Sequence, residues 1–167
     1  MARPAPPQKK LIVVGTLAGA AGLYFLLVGA GLLPIPGGPK NVHGPLWLVL
    51  CAGLAFFLAG VAIVLLAFGG ANDQGEFPAD TPAWFRVVQY LIGLAIFASF
   101  GAIGSWVAFG PGERVFSGSF LFFSAETNAQ IGRTVFGIGA VIVWLCTLAF
   151  AVAGARKLLQ RNRRGPS

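Results

Sequence analysis

Residues 46–68 read LWLVLCAGLAFFLAGVAIVLLAF, from Leu46 to Phe68, without one Asp, Glu, Lys, Arg or His. At a rise of about 1.5 Å per residue, an apolar run of this length makes a helix of roughly 34 Å. That is enough to cross a hydrocarbon core about 30 Å thick. Trp47 falls at the start of the run, where an aromatic belt meets the headgroups, and Gly53 and Gly60 lie seven apart on one helix face.

Outward from this stretch the same pattern recurs three times, over about residues 11–33, 82–109 and 131–155. The whole chain of 167 residues is 56% hydrophobic and only 10% charged, with a mean hydropathy of +0.79. A soluble domain carries roughly 25% charged residues and cannot hide this much apolar surface. The fold class expected is an all-α integral membrane protein with four transmembrane helices, folded as a single membrane domain over 1–167. The first run follows basic residues, as a signal peptide would. Its length exceeds a 7–15 residue apolar core and no good Ala-x-Ala site follows, so it reads as a retained span.

A net charge of +7 and a pI near 10.3 would suggest nucleic acid in a soluble protein. Here the cations flank the spans: Arg3, Lys9 and Lys10 precede the first, and Arg156, Lys157, Arg161, Arg163 and Arg164 follow the last. Four crossings put both ends on one side. Nine of the 12 Lys and Arg residues then lie inside, with Lys40, Arg114 and Arg133 outside. The positive-inside rule therefore predicts cytoplasmic N and C termini, and the Ala, Gly and Arg-rich composition suggests a multi-pass protein of a bacterial inner membrane. No nucleic-acid module or aromatic interleaving accompanies the charge.

Small residues mark close helix contacts. Gly15, Gly19 and Gly22 share a face of span one, Gly137, Gly139, Ala149 and Ala153 punctuate span four, and span three carries the pairs Ala95/Ser99, Ala98/Ala102 and Gly101/Ser105. In lipid, such rows let helices approach closely, and packing within the chain is the favoured use of the first. Gln89 is the one amide in span three and is expected to bond to a neighbouring helix. Trp84 and Arg86 should sit near one interface, Trp106 near the other and Trp144 in mid-span. Cys51 and Cys146 differ in expected depth by roughly 15 Å, beyond the roughly 7 Å Cα limit of a disulfide.

The connectors hold the polar chemistry. Pro34 to Pro45 is rich in proline and glycine, ends span one and supplies Pro45 for the first turn of span two. It contains His43, the only histidine, which could titrate, bind a metal or ligate a pigment and is more commonly a polar loop residue. Asp73, Glu76 and Asp80 in the second connector do not have the spacing of a calcium-binding loop. Thr81 and Pro82 make a good helix start. The third connector is the richest. Gly110-Pro111-Gly112 breaks span three, Glu113 and Arg114 place both signs at the boundary, and Val115 to Ala125 carries Phe116, Phe120, Phe122 and Phe123. That run is too short to span and too apolar to float in water, so it is expected to be a structured extracytoplasmic loop that docks on partners or lipid. Thr127 and Gln130 match a capping box, which predicts a fourth helix from near Asn128 with Arg133 in its first turn. A cation there opposes the helix dipole, so Arg133 should pair with Glu113 or Glu126 and anchor the loop.

All five acids lie in connectors, and no span has a central charge of the kind carboxylate relays need. Zinc hydrolysis, thiol redox chemistry and a nucleophilic triad all lack their residue sets. The expected function is a non-catalytic accessory, structural or assembly subunit. It would bind other integral membrane proteins, lipids or pigments, or form a homo-oligomer, through Phe116, Phe120, Phe122 and Phe123 and its small-residue helix faces. No catalytic residue, metal or cofactor is assigned. The alternative is a small oligomeric channel or carrier. A weaker third reading is a lipid-modifying enzyme using Glu113, Arg114, Arg133 and His43.

Overall fold

The computed structural model describes residues 9–38, 44–69, 81–111 and 125–163, with side chains on the last helix described at 127 and 129–156. The chain forms four helices, α1 Lys9–Gly29, α2 Leu46–Phe68, α3 Ala83–Phe109 and α4 Ala125–Arg163, and no strand among the described residues. All four are long and apolar enough to cross a membrane, that of α4 within Ala129–Arg156, the part of the helix whose side chains are described. The chain is a multi-pass membrane protein. In hydrocarbon a backbone must bond to itself, and α-helices do that within one segment.

Cap chemistry moves the ends away from where hydropathy alone puts them. The α1 helix stops at Gly29 rather than Leu33, because Gly31 adopts φ +73° and terminates it. Leu32 N–H reaches Leu27 C=O at 2.9 Å and Gly31 N–H reaches Val28 C=O at 3.0 Å. This pair of bonds is a Schellman motif, which satisfies carbonyls that would otherwise be orphaned at the helix end. Gly38 N–H then returns to Ile35 C=O at 2.9 Å, with Pro36 and Gly37 (φ +75°) in the middle of the turn. Proline followed by a positive-φ glycine is the signature of a type II turn. Pro45 is extended (φ −66°, ψ 142°) and precedes α2 as its N-cap instead of joining the first turn.

The fourth helix departs further from expectation. It begins at Ala125, so Thr127 lies within the helix and the capping box does not mark its start. Ala125 and Glu126 are both good helix formers, and an acid in the first turn complements the dipole. At the other end α4 continues to Arg163, carried by Lys, Leu, Gln and Arg, and basic residues are favourable at a C-terminus.

Two compact units divide the chain, residues 1–96 and 97–167, with α3 running through the boundary. In the first unit α1 and α2 form an antiparallel hairpin whose backbones touch. A Cβ placed on Gly22 would lie 2.6 Å from Phe57 Cα, and one on Gly53 would lie 2.5 Å from Leu26 N. Gly60 faces Gly15 and Gly19, and Gly29 faces Leu50, where a Cβ would come within 2.7 Å of Leu50 Cα. Gly15, Gly22, Gly53 and Gly60 are buried, together with Val28, Ala55 and Ala67. The glycine row of span one is thus used inside the chain, against the glycine row of span two. Gly19 is the member with room to spare: a Cβ there would meet only Gly60 Cα, at 3.9 Å.

In the second unit the end of α3 lies antiparallel to α4. Phe97 meets Phe150 with ring centroids 6.2 Å apart, Gly104 meets Ala140, and Ala108 meets Gly137. Between them the Trp144 indole lies over Gly101, where a Cβ would stand 2.9 Å from the ring. Its Nε1–H donates to Ser105 Oγ at 3.0 Å. The Gly101/Ser105 pair therefore accepts an aromatic side chain, glycine giving the space and serine taking the indole proton. Thr147 is buried on the same side of α4, and its hydroxyl donates to Val143 C=O at 2.7 Å.

Candidate functional site

Most of the residues to which the sequence assigns binding or loop anchoring lie outside the described part of the structure. Phe116, Phe120, Phe122, Phe123, Glu113 and Arg114 fall in 112–124, as His43 does in 39–43 and Asp73, Glu76 and Asp80 in 70–80. Glu126 belongs to α4 by its backbone alone, so its pairing with Arg133 lies outside the description too. Among the described residues no group of three His, Cys, Asp or Glu side chains comes together. Cys51 and Cys146 are free thiols.

Arg133 is described, and its setting differs from the expected one. With α4 starting at Ala125, it is the ninth helical residue and sits in the third turn, where the opposition of the helix dipole has faded. Half-buried, it lines an open groove of about 490 Å³ where the end of α3 meets α4. Ala108 and Phe109 form the α3 wall, and Gly137, Ile138 and Val141 continue the α4 wall below the guanidinium. Gly137 borders it, and a Cβ there would reach ordinary contact with Phe109 and Ala108, at 3.5 and 3.6 Å. Thr134 also borders it, with its hydroxyl donating to Gln130 C=O at 2.9 Å and so engaged within its own helix. Among the described residues the lining is apolar apart from Arg133 and Thr134.

Arg86 and Gln89 lie in the first two turns of α3. Arg86 donates to Thr81 C=O at 2.9 Å, closing the entrance to the helix with a charge-assisted bond. Gln89 Oε1 is buried and has no hydrogen-bond partner among the described residues, so the expected interhelical bond to this oxygen is not made there. An unmade bond at a buried acceptor costs about 1–3 kcal/mol.

α4 also exposes a row of large apolar side chains. Val135, Leu145 and Leu148 are each 62% exposed, and Ile138 and Ile142 stand beside them. Gly139, on this side, has no atom within 4 Å of a would-be Cβ. Neither a protein-family model, a curated protein nor a solved structure matches this chain.

Proposed function

We propose that this chain is a non-catalytic accessory, structural or assembly subunit of a bacterial inner membrane, with both termini cytoplasmic. It binds other integral membrane proteins, lipids or pigments through its outer loop. Phe116, Phe120, Phe122 and Phe123 form the contact surface of that loop, and Glu113, Arg114, Glu126 and Arg133 hold it in place. The observation that carries this reading is the distribution of polarity. The central parts of the four apolar runs have no Asp, Glu, Lys, Arg or His, while aromatic residues and paired charges concentrate in one connector. A membrane protein without buried ionisable groups lacks the usual equipment for moving protons or ions. The α1 and α2 glycine rows occupy one another, so partners are left the loop and the broad outer face of α4.

Purification of the full chain in a gentle detergent, followed by identification of what accompanies it, tests this directly. A fixed partner at constant stoichiometry supports the subunit reading. Solute-dependent flux in proteoliposomes made from the chain alone overturns it in favour of a channel or carrier.

A further inference from the structure

We infer that the end of α4, from Arg156 to Arg163, is a binding element for phospholipid with a net negative headgroup, a basic helix set in the headgroup layer of the surface that carries both chain ends. The inference requires only that the four helices cross a bilayer, and it concerns the membrane surface opposite the Phe-rich loop. Length sets the position. α4 has 39 residues, about 58 Å of helix, against a hydrocarbon core about 30 Å thick. Its charge-free stretch from Thr134 to Ala155 has 22 residues, about 33 Å, which matches that core and brings Arg156 to its edge. Arg156 is exposed. The backbone stays helical from there to Arg163, a further rise of about 10 Å. A headgroup layer is about 5–7 Å thick on each side, so this end of α4 traverses it.

Helical register sorts the residues of this end by side. At about 100° per residue, Arg156, Lys157, Arg161 and Arg163 fall within an arc of about 160° with Gln160 near its middle, and Leu158, Leu159 and Asn162 take the remainder. Basic clusters immediately beyond a transmembrane helix recognise anionic headgroups. The surplus of charge holds however the chain pairs its own residues. Four crossings put both ends and the connector between α2 and α3 on one surface, with nine of the 12 Lys and Arg residues and three acids, Asp73, Glu76 and Asp80. The end of α4 and the adjoining Arg164 hold five of the nine. With all three acids spent on these five, two cations are still unmatched. The other surface has three cations and two acids. Each unmatched cation near a membrane surface favours anionic over zwitterionic lipid by about fivefold.

The basic N-terminal residues attract anionic lipid on the same surface, so the measurement must be local. The photo-crosslinker p-benzoylphenylalanine replaces Gln160, amid the basic residues of α4, or Leu32, exposed toward the other surface. The full chain is reconstituted in equal phosphatidylglycerol and phosphatidylcholine of matched acyl chains, and the adducts are weighed by mass spectrometry. The expected result is phosphatidylglycerol enriched about fivefold or more at 160 and close to parity at 32. Combining Arg161→Gln, Arg163→Gln and Arg164→Gln should bring position 160 near parity. The enrichment should persist with lysine at the same three positions, which also controls for folding. It should persist too when Arg3→Gln, Lys9→Gln and Lys10→Gln remove equal charge from the same surface. Parity at 160 in the wild type, enrichment that survives the three glutamines on α4, equal losses from the two glutamine triples, or adducts to the chain's own residues 70–80 in place of lipid overturns the proposal. Any of these leaves the subunit reading intact, which stands or falls on co-purification.

Discussion

The two helix seams of this protein achieve close association by opposite means. Between α1 and α2, glycine meets backbone: Gly22 lies against Phe57, Gly53 against Leu26, and Gly60 against Gly15 and Gly19. Between α3 and α4, a single large side chain, Trp144, is received by Gly101 and bonded by Ser105. Lipid offers no hydrophobic drive for helices to leave it, so both seams depend on van der Waals fit and the occasional hydrogen bond. The first seam spreads that fit over many small contacts that cannot adjust. The second sets one large side chain, whose rotamers can adjust, between the small contacts of Gly104 with Ala140 and Ala108 with Gly137.

The contrast should break most clearly at Gly22. Replacing it with alanine puts a methyl group against Phe57 backbone, with no side chain able to move aside, and should destabilise the α1–α2 hairpin by about 2–3 kcal/mol. Unfolding of the full chain in detergent micelles, followed by circular dichroism, measures this. Trp144→Phe should cost less, about 0.6 kcal/mol for the hydrogen bond to Ser105, because the phenyl ring still covers Gly101. The same unfolding assay applies, and a double-mutant cycle with Ser105→Ala isolates the bond. The smallest effect belongs to Gly19→Ala, on the same face as Gly22. Its Cβ would meet only Gly60 Cα at 3.9 Å, so stability should stay within about 0.5 kcal/mol of wild type or rise with helix propensity. If Gly19→Ala proves as damaging as Gly22→Ala, the α1–α2 seam is uniformly tight and the contrast within it disappears.

These differences set what could be read from the residues alone. The α2 run is bounded by Pro45 and Gly69, and hydropathy places it at 46–68, the observed limits. The end of α1 is invisible to hydropathy, since Leu32 and Leu33 are apolar, and only the backbone of Gly31 shows that the helix has already closed. Rows of glycine are legible because period and residue type appear together, and Gly29 continues the row beyond Gly22 to the helix end. The partnership of Trp144 with Ser105 joins residues 39 apart and leaves no local trace. Arg133 stands out in the sequence by its charge, which points to an ion pair; the groove beside it, bordered by Ala108, Phe109 and Gly137, is a juxtaposition that spacing does not encode.

The glycines at 15, 22 and 29 recur every seven residues, as do those at 53 and 60. Two combs of equal pitch can mesh in more than one position. Sliding α2 along α1 by one tooth, about 10 Å, would again set glycine against glycine. Glycine spacing alone therefore does not choose the register, which is left to the other buried residues, Val28, Ala55 and Ala67, and to the connection between the helices. The Schellman closure at Gly31 and the tight turn from Ile35 to Gly38 shorten the chain available for slippage, so they act as the catch that stops the combs one notch apart. Lengthening this connector would free the hairpin to sample the neighbouring notch, with its glycines still meshed.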